Sequence, residues 1–470
     1  LGDFIYERCW HNRIDGSPQA RKVPPFPDGI DTEENRFAVS LADYRHLYKV
    51  YLEDPHLQAA RANWPFVCTW DDHEFSNDNF GYHSTYGGEH RAEIERKVAA
   101  NRAWFEFIPA ALNELEDQPA QDFRDPGASP GGTEALHSLT IYRRLQWGQN
   151  LDIVMTDSRS YRSPPCMPEG LAESQGLPLD SVQLVEMADA GTEYNGGKPP
   201  RFLPYGDAST ENPGWKRPPG SMLGQAQRDW FLEQLRTSEA RWKLWGNALP
   251  LIPMRIDLGS LPFAGYELSI FHLDAWAGYP FEQSLLLREL ERDGVTGLVS
   301  FSGDHHMHGV ATIKHNAGDN DAVAVSVDFS VAGISSTPMY KELYKVSRNS
   351  HPDFAALVYK ENPGGIVPTW NMTMLDGALA SFTYGKTGLQ TAARWLGPNT
   401  ANPGLRYMDS TANGYGLAHF SAERLHVQLI TLNGVTKPFN HPPEIDYSAS
   451  FDLPLWQSGE APNLQGPRFQ

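Results

Sequence analysis

Cysteine is scarce in this chain of 470 residues: Cys9, Cys68 and Cys166 are the whole complement. They fall in no CxxC or Cys/His spacing, which argues against a structural zinc site and allows at most one internal disulfide. So low a count says little about redox compartment. Positive charge is also in deficit, with 39 Lys+Arg against 58 Asp+Glu and a formal net charge of −19. Such a surface repels phosphate backbones, which excludes nucleic-acid binding driven by counterion release. No apolar run approaches the roughly 20 residues that cross a bilayer, and neither an internal repeat nor a low-complexity array is present. Core-forming material is abundant: a hydrophobic content of 40% with 11% aromatics excludes a disordered chain. The length accommodates roughly three average domains or one large α/β core.

Short β-branched and aromatic runs alternate with helical patterns, which predicts βαβ-type layering. The strand candidates are Trp64–Trp70, Leu151–Thr156, Trp242–Trp245, Gly297–Phe301, Ala322–Val331 and His426–Leu432. Helices are expected over Leu41–Leu52, Arg91–Phe107 and Gly224–Leu235, the last bringing Trp230, Leu232 and Leu235 near one another on a face. The Pro/Gly-rich stretches Gln118–Thr133, Gly191–Gly220 and Asn362–Thr369 read as long loops of the kind that form lids or substrate walls. The proline-bearing tail after Asp452 reads as an irregular strap.

Polar residues follow four of the strand candidates directly: Asp71-Asp72-His73-Glu74, Asp157-Ser158-Arg159, Gly246-Asn247, and Ser302-Gly303-Asp304-His305-His306-Met307-His308. Ligands of open α/β sheets bind outside the carboxyl ends of strands, so these four ends are expected to form one site. If residues 304–308 stay extended, Asp304, His306 and His308 share a side and His305 takes the other. A carboxylate with imidazoles on one side suits a metal of intermediate hardness, the alternative being an ordinary polar loop. Adjacent carboxylates in Asp71-Asp72 repel unless a cation or proton sits between them, the alternative being a solvated turn. Asp3 and Tyr6 share a face if they lie on a helical turn. Tyrosine ligates as phenolate, and its ordinary pKa of about 10 requires a strongly acidic cation such as Fe³⁺; a core tyrosine and a capping aspartate are the alternative.

With these residues the sequence resembles the PhoD-like alkaline phosphatase family of the metallophosphoesterase superfamily, to which purple acid phosphatases are also similar. The matching blocks, in family order, are Gly2-Asp-Phe-Ile-Tyr-Glu7, Trp70-Asp-Asp-His-Glu74, Thr156-Asp-Ser-Arg-Ser-Tyr-Arg162, Met222-Leu-Gly-Gln-Ala-Gln227 with Trp230, Trp242-Lys-Leu-Trp-Gly-Asn247, and Ser302-Gly-Asp-His-His306. Asp3 and Tyr6 match the superfamily's GDxxY block. Asp72 stands where the GNH[DE] block has its metal-binding Asn, His73 where it has the catalytic His, and Asp304 and His306 where GHxH has its two ligands. The resemblance implies an α/β fold, a four-layer α/β/β/α sandwich with two mixed β-sheets. Residues 1–470 would form one metallophosphatase domain, with 416–470 a C-terminal strand and irregular tail packing on it. Family members reach GDxxY through a strand ending in a Ser-Cys motif whose Cys binds iron, commonly behind a small β-sandwich domain. Neither is expected here, because the chain opens Leu1-Gly2-Asp3 without Met, as a processed or partial product does.

The resemblance further implies Fe³⁺ and Ca²⁺ as cofactors, in accord with a Tyr and His set for iron and carboxylates for calcium. Asp3, Tyr6, Asp72, Asn247, Asp304 and His306 are the expected metal ligands, His73 the catalytic residue, and Arg159, His305 and His308 the substrate contacts, a structural salt bridge being the alternative for Arg159. The implied reaction is phosphate-ester hydrolysis by hydroxide drawn from metal-bound water, with His73 protonating the leaving alkoxide. Its substrates would be small phosphate esters, and a periplasmic or secreted monomer is expected. Alternatives are a strict phosphodiesterase on lipid or teichoic-acid-like esters and a non-catalytic metal scaffold. A carbohydrate-binding or glycoside-cleaving protein, suggested by 13 Trp, fits poorly, since glycosidases need paired carboxylates at set separation.

Overall fold

The computed structural model describes residues 2–10, 26–32, 35–85, 90–108, 122–167, 179–205, 208–262, 267–318, 322–397, 399–435 and 442–470. Contacts divide the chain into two compact units. The first comprises Leu1–Leu145, Val154–Ser163 and Gly246–Ala248; the second comprises Gln146–Ile153, Pro164–Trp245 and Leu249–Gln470.

In the first unit, helices Leu41–Leu52 (α1) and Ile94–Phe107 (α2) supply much of the core. Ser40 starts α1 with a capping box: its hydroxyl takes the Asp43 N–H while the Asp43 carboxylate takes the Ser40 N–H. Tyr44, Leu47 and Tyr48 of α1 and Ala100, Ala103 and Trp104 of α2 form one buried cluster with Ile5, Cys68, Trp70 and Phe75. The Tyr44 hydroxyl donates to the Phe75 carbonyl at 2.7 Å, and Arg96 donates to that carbonyl and to the Tyr44 oxygen at 3.0 and 2.9 Å. The turn after Trp70 is thereby anchored from beneath.

The chain also forms a mixed sheet of seven strands, most of whose residues belong to the second unit. In chain order these are Arg143–Trp147 (β1), Leu151–Met155 (β2), Trp242–Gly246 (β3), Leu298–Ser302 (β4), His308–Lys314 (β5), Ala324–Ser330 (β6) and Leu405–Asp409 (β7). They lie side by side as β7-β5-β6-β4-β3-β2-β1. The β4–β6 pair is parallel, whereas β5 runs antiparallel to both β6 and β7. A second sheet of Gly414–Phe420 (β8), Arg424–Leu432 (β9), Ile445–Pro454 (β10) and Gln465–Phe469 (β11) is antiparallel throughout, so the expectation of two mixed sheets holds for only one.

Trp242 and Trp245 explain how the layers stack. Three apart on β3, they point to opposite faces. Trp242 enters a core shared by both sheets with Val299, Val327, Phe329, Val427 and Phe451, its ring 6.0 Å from Phe420 and 6.2 Å from Trp456. Trp245 instead meets Phe231 of helix Gln225–Thr237 (α3) at 4.5 Å. Helix Pro280–Arg292 (α4) buries Leu286, Leu287 and Leu290. Its Glu282 carboxylate accepts from the backbone of Met222 and Leu223 and from the Ser221 hydroxyl, which ties down the start of α3.

Several elements differ from their sequence-based expectation. Trp64–Trp70 forms no strand. Pro65 lacks an N–H for a ladder, and the Cys68 carbonyl accepts instead from the Arg143 guanidinium at 2.6 Å. One Pro/Gly-rich stretch contains a hairpin, Phe202–Tyr205 with Ala208–Glu211, and another supplies the turn and second strand of Tyr359–Asn362 with Gly365–Pro368. In the third, residues 118–121 lie outside the described residues. The tail is more regular than expected, because β11 pairs along β10.

Asp328 on β6 is a buried carboxyl that burial pushes up to about 7, despite the Ser302 hydroxyl and the Leu251 N–H as donors. The Leu251 N–H lies at 3.1 Å and the Ser302 hydroxyl at 3.3 Å. A folded-state pKa above the unfolded value contributes stability that is full below 3.8 and is lost as pH rises through about 7. Asp328→Asn keeps an acceptor and removes the titration. Its melting temperature should therefore gain on wild type across that window by a few degrees, at about 2–4 °C per kcal/mol for domains of 150–250 residues. Thermal melts from pH 4 to 9 check this, and parallel curves would contradict it.

Candidate functional site

In the first unit the Gly2–Glu7 segment lies against the turn that follows Trp70. A Cβ on Gly2 would sit 2.5 Å from both Cβ and N of Asp71, so only glycine allows this approach. Asp3 then takes a left-handed backbone, φ 55°. The buried Glu74 carboxylate accepts from the backbone N–H groups of Asp3, Phe4 and Asp71 at 3.1, 2.6 and 2.8 Å. Burial pushes Glu74 up to about 7, and those three N–H donors restrain the rise.

The same contact brings chemistry together. The His73 N–H donates to Asp3 Oδ1 at 3.3 Å, and the Asp78 N–H donates to Asp72 Oδ2 at 2.7 Å. Glu7, fully buried, holds His73 Nδ1 at 2.6 Å. The Tyr6 ring stacks on the His73 ring at 3.9 Å and 28°. Burial opposes charge on His73, but Asp72 and Glu7 outweigh it and hold its pKa up at about 9. Burial would likewise raise Asp72, yet His73 and Arg159 keep it well below the usual carboxylate range. The result is an imidazolium between carboxylates, with its Nδ1–H fixed on Glu7 and Nε2 as its other proton-bearing atom.

Asp3, Asp72 and His73 each offer a ligand atom, all within 4.8 Å of one another. A protonated imidazole is a poor ligand, so the donors that fit a cation here are the two carboxylates with Tyr6 beside them. That is a hard oxygen set, compatible with Ca²⁺ or Fe³⁺. Asn247, buried at the end of β3, has its side-chain oxygen 3.4 Å from the Ser158 hydroxyl. Arg159 is fully buried and donates from Nε to Asp71 at 2.6 Å. Its turn is organised by Asp157, which accepts from the Arg159 and Ser160 N–H groups and from the Trp70 indole.

In the second unit the loop after β4 does not stay extended. Asp304 and His306 are left-handed, φ 58° and 50°, and the His305 N–H closes a tight turn on the Gly303 carbonyl at 2.7 Å. Alternation therefore does not sort these side chains. The His306 Nδ1–H donates to the Thr337 carbonyl at 2.7 Å, which puts the lone pair on Nε2; a backbone partner of this kind typically orients a metal-binding histidine. His308, placed by the sequence among substrate contacts, opens β5 fully buried. Its Nδ1 accepts from the Ala332 N–H at 3.1 Å and its Nε2 donates to the Ile430 carbonyl at 3.2 Å. Both nitrogens serve the backbone, so His308 ties the start of β5 to its neighbours. The turn tucks the His305 ring into the interior. Burial and the neighbouring His272 hold it well below its ordinary pKa, hence neutral.

Three buried ionisable residues of this region escaped the sequence reading. Glu7 and Glu74 were inside matched blocks without roles. Lys97 lies buried with its ammonium 4.8 Å above the Trp70 ring, and burial brings its pKa down to about 8; one Lys on an amphipathic helix carries no signal of this.

Comparison with known proteins defines the class. The PhoD-like phosphatase family matches residues 1–429, and the chain belongs to that family. It is 24% identical over 306 residues to alkaline phosphatase D of Bacillus subtilis (strain 168), a match covering 65% of this chain and 40% of that protein. It also resembles a solved structure of PhoD with a TM-score of 0.60 at 17% identity, covering 100% of this chain and 66% of that one. The structural likeness speaks to the fold alone. The chain thus spans less than two thirds of the length of either relative.

Proposed function

We propose that this chain is a metal-dependent phosphoric ester hydrolase acting on small phosphate esters. The observation that carries the reading is the Glu7–His73 ion pair set beside Asp3 and Asp72. Asp3, Tyr6, Asp72 and Asn247 in the first unit, and Asp304 and His306 in the second, are assigned as ligands of Fe³⁺ and Ca²⁺. Bound cations would polarise phosphoryl oxygens and lower the pKa of water to supply hydroxide. Glu7 holds the His73 ring so that Nε2 delivers its proton to the leaving oxygen. Arg159, anchored on Asp71, contributes positive charge toward a phosphate oxygen, and His308 positions the loop that bears Asp304 and His306.

The same reading takes residues 1–470 as one metallophosphatase domain ending in the 416–470 strands, with the four-layer α/β/β/α arrangement of the family. It also takes the chain to act as a periplasmic or secreted monomer. No helix among the described residues is long and apolar enough to cross a membrane.

The test is turnover of an aryl phosphate monoester and the matching diester before and after chelation. Turnover should vanish with chelation and return with Ca²⁺ and Fe³⁺ together. A broad visible charge-transfer band should accompany it and disappear in Tyr6→Phe. Diester turnover alone selects a strict phosphodiesterase. Turnover indifferent to chelation, or none with metals restored, overturns the proposal.

A further inference from the structure

We infer that His272 and His305, sharing the carboxylate of Asp304, form a binding site for a borderline divalent cation of the zinc class, distinct from the Fe³⁺ and Ca²⁺ ligands assigned above. The three residues lie in the second unit, and their ligand atoms fall within 4.8 Å of one another. His305 Nε2 is 3.9 Å from Asp304 Oδ2, and the two imidazoles meet edge to face with centroids 5.1 Å apart.

Neither ring nitrogen of His305 has a hydrogen-bond partner among the described residues, although the side chain is only 1% exposed. Nδ1 of His272 is likewise buried without one. Buried polar atoms are nearly always paired, and three such ring nitrogens beside a carboxylate call for a bound group. No donor among the described residues reaches these nitrogens. The backbone at His272 and Asp304 is left-handed, φ 67° and 58°, conformations uncommon for residues other than glycine. Both lie at this one cluster, as strain does at functional positions.

The donor set decides the ion. Two imidazole nitrogens with one carboxylate oxygen match the three-ligand zinc sites that keep a position open, whereas Ca²⁺ takes six to eight oxygens. The inference depends on the phosphatase reading only through the shared Asp304.

Co²⁺ as a coloured stand-in for Zn²⁺ tests it on the full chain after chelation. One equivalent should give the visible absorption of low-coordinate cobalt, displaced by Zn²⁺ but not by Ca²⁺. His272→Gln and His305→Gln should each weaken Co²⁺ binding by at least the roughly 10–100-fold that loss of an outer-shell partner causes, while Tyr6→Phe leaves it unchanged. His272 is only half-buried, so its variant decides the matter should His305→Gln fail to fold. Unchanged cobalt binding in His272→Gln, displacement by Ca²⁺, or sensitivity to Tyr6→Phe overturns the site. Aryl phosphate turnover on the same preparations, with and without Fe³⁺ and Ca²⁺, judges the phosphatase reading separately.

Discussion

His73→Gln should lower turnover of an alkyl phosphate by about 10²–10⁴-fold, the range that a positioned general acid supplies, with a much smaller loss on a nitrophenyl phosphate. The difference follows from the leaving group. An alkoxide is a strong base and needs a proton as the bond to phosphorus breaks, whereas a nitrophenolate departs unprotonated. The structure supplies what the acid requires: a buried imidazole, charged at neutral pH because Asp72 and Glu7 outweigh burial, and a 2.6 Å contact from Glu7 that fixes which nitrogen is free to deliver. Gln preserves size and hydrogen bonding, so the fold should stand. Glu7→Gln should move turnover in the same direction by a smaller factor, because it leaves the proton donor in place and loosens only its orientation. Initial rates with paired alkyl and nitrophenyl substrates check this. Equal losses on both would mean that His73 acts on the ground state or on the metals and not on the leaving group.

Much of this arrangement was legible in the order of residues. Asp3, Tyr6, Asp72, His73, Asp304 and His306 stood out because their residue types at their spacings match a chemistry. The strands bearing Trp242 and Phe329 and the helices α1 to α3 stood out by periodicity. Backbone geometry was not legible. Nothing in Asp304-His305-His306 announces two left-handed residues, so alternation was applied to what is a turn. Nor does Trp64–Trp70 announce that its carbonyls pair with side chains; an apolar run before a polar cluster reads as a strand whether or not a ladder forms. His272 carried no local signal, since its partner His305 is 33 positions away and only the fold brings the rings together. Helix α4 and strands β1, β5, β7, β8, β10 and β11 went unread because short amphipathic runs between Gly and Pro compete with loop readings.

Gly2→Ala should cost about 10²-fold in turnover, the penalty of displacing a reactive constellation by roughly 1 Å, although residue 2 itself touches no substrate. The added methyl would need to occupy space 2.5 Å from Asp71 N and Cβ and 2.8 Å from the Trp70 carbonyl carbon. Two of these three atoms are backbone, so no side-chain rotation relieves the clash. The turn itself is held from beneath by the Arg96 and Tyr44 contacts to Phe75, so the Gly2–Glu7 segment is the partner that must yield. Its retreat carries Asp3 away from His73 N–H and Glu74 and strains the Glu7–His73 contact one turn later. Overpacking of this kind costs about 1–3 kcal/mol, a small fraction of what holds the core formed by Tyr44, Trp70 and Trp104. The melting temperature should therefore fall by only a few degrees while turnover collapses. Activity that tracks the loss of folded protein, and not the displacement, would refute the reading of the glycine as a spacer for Asp3.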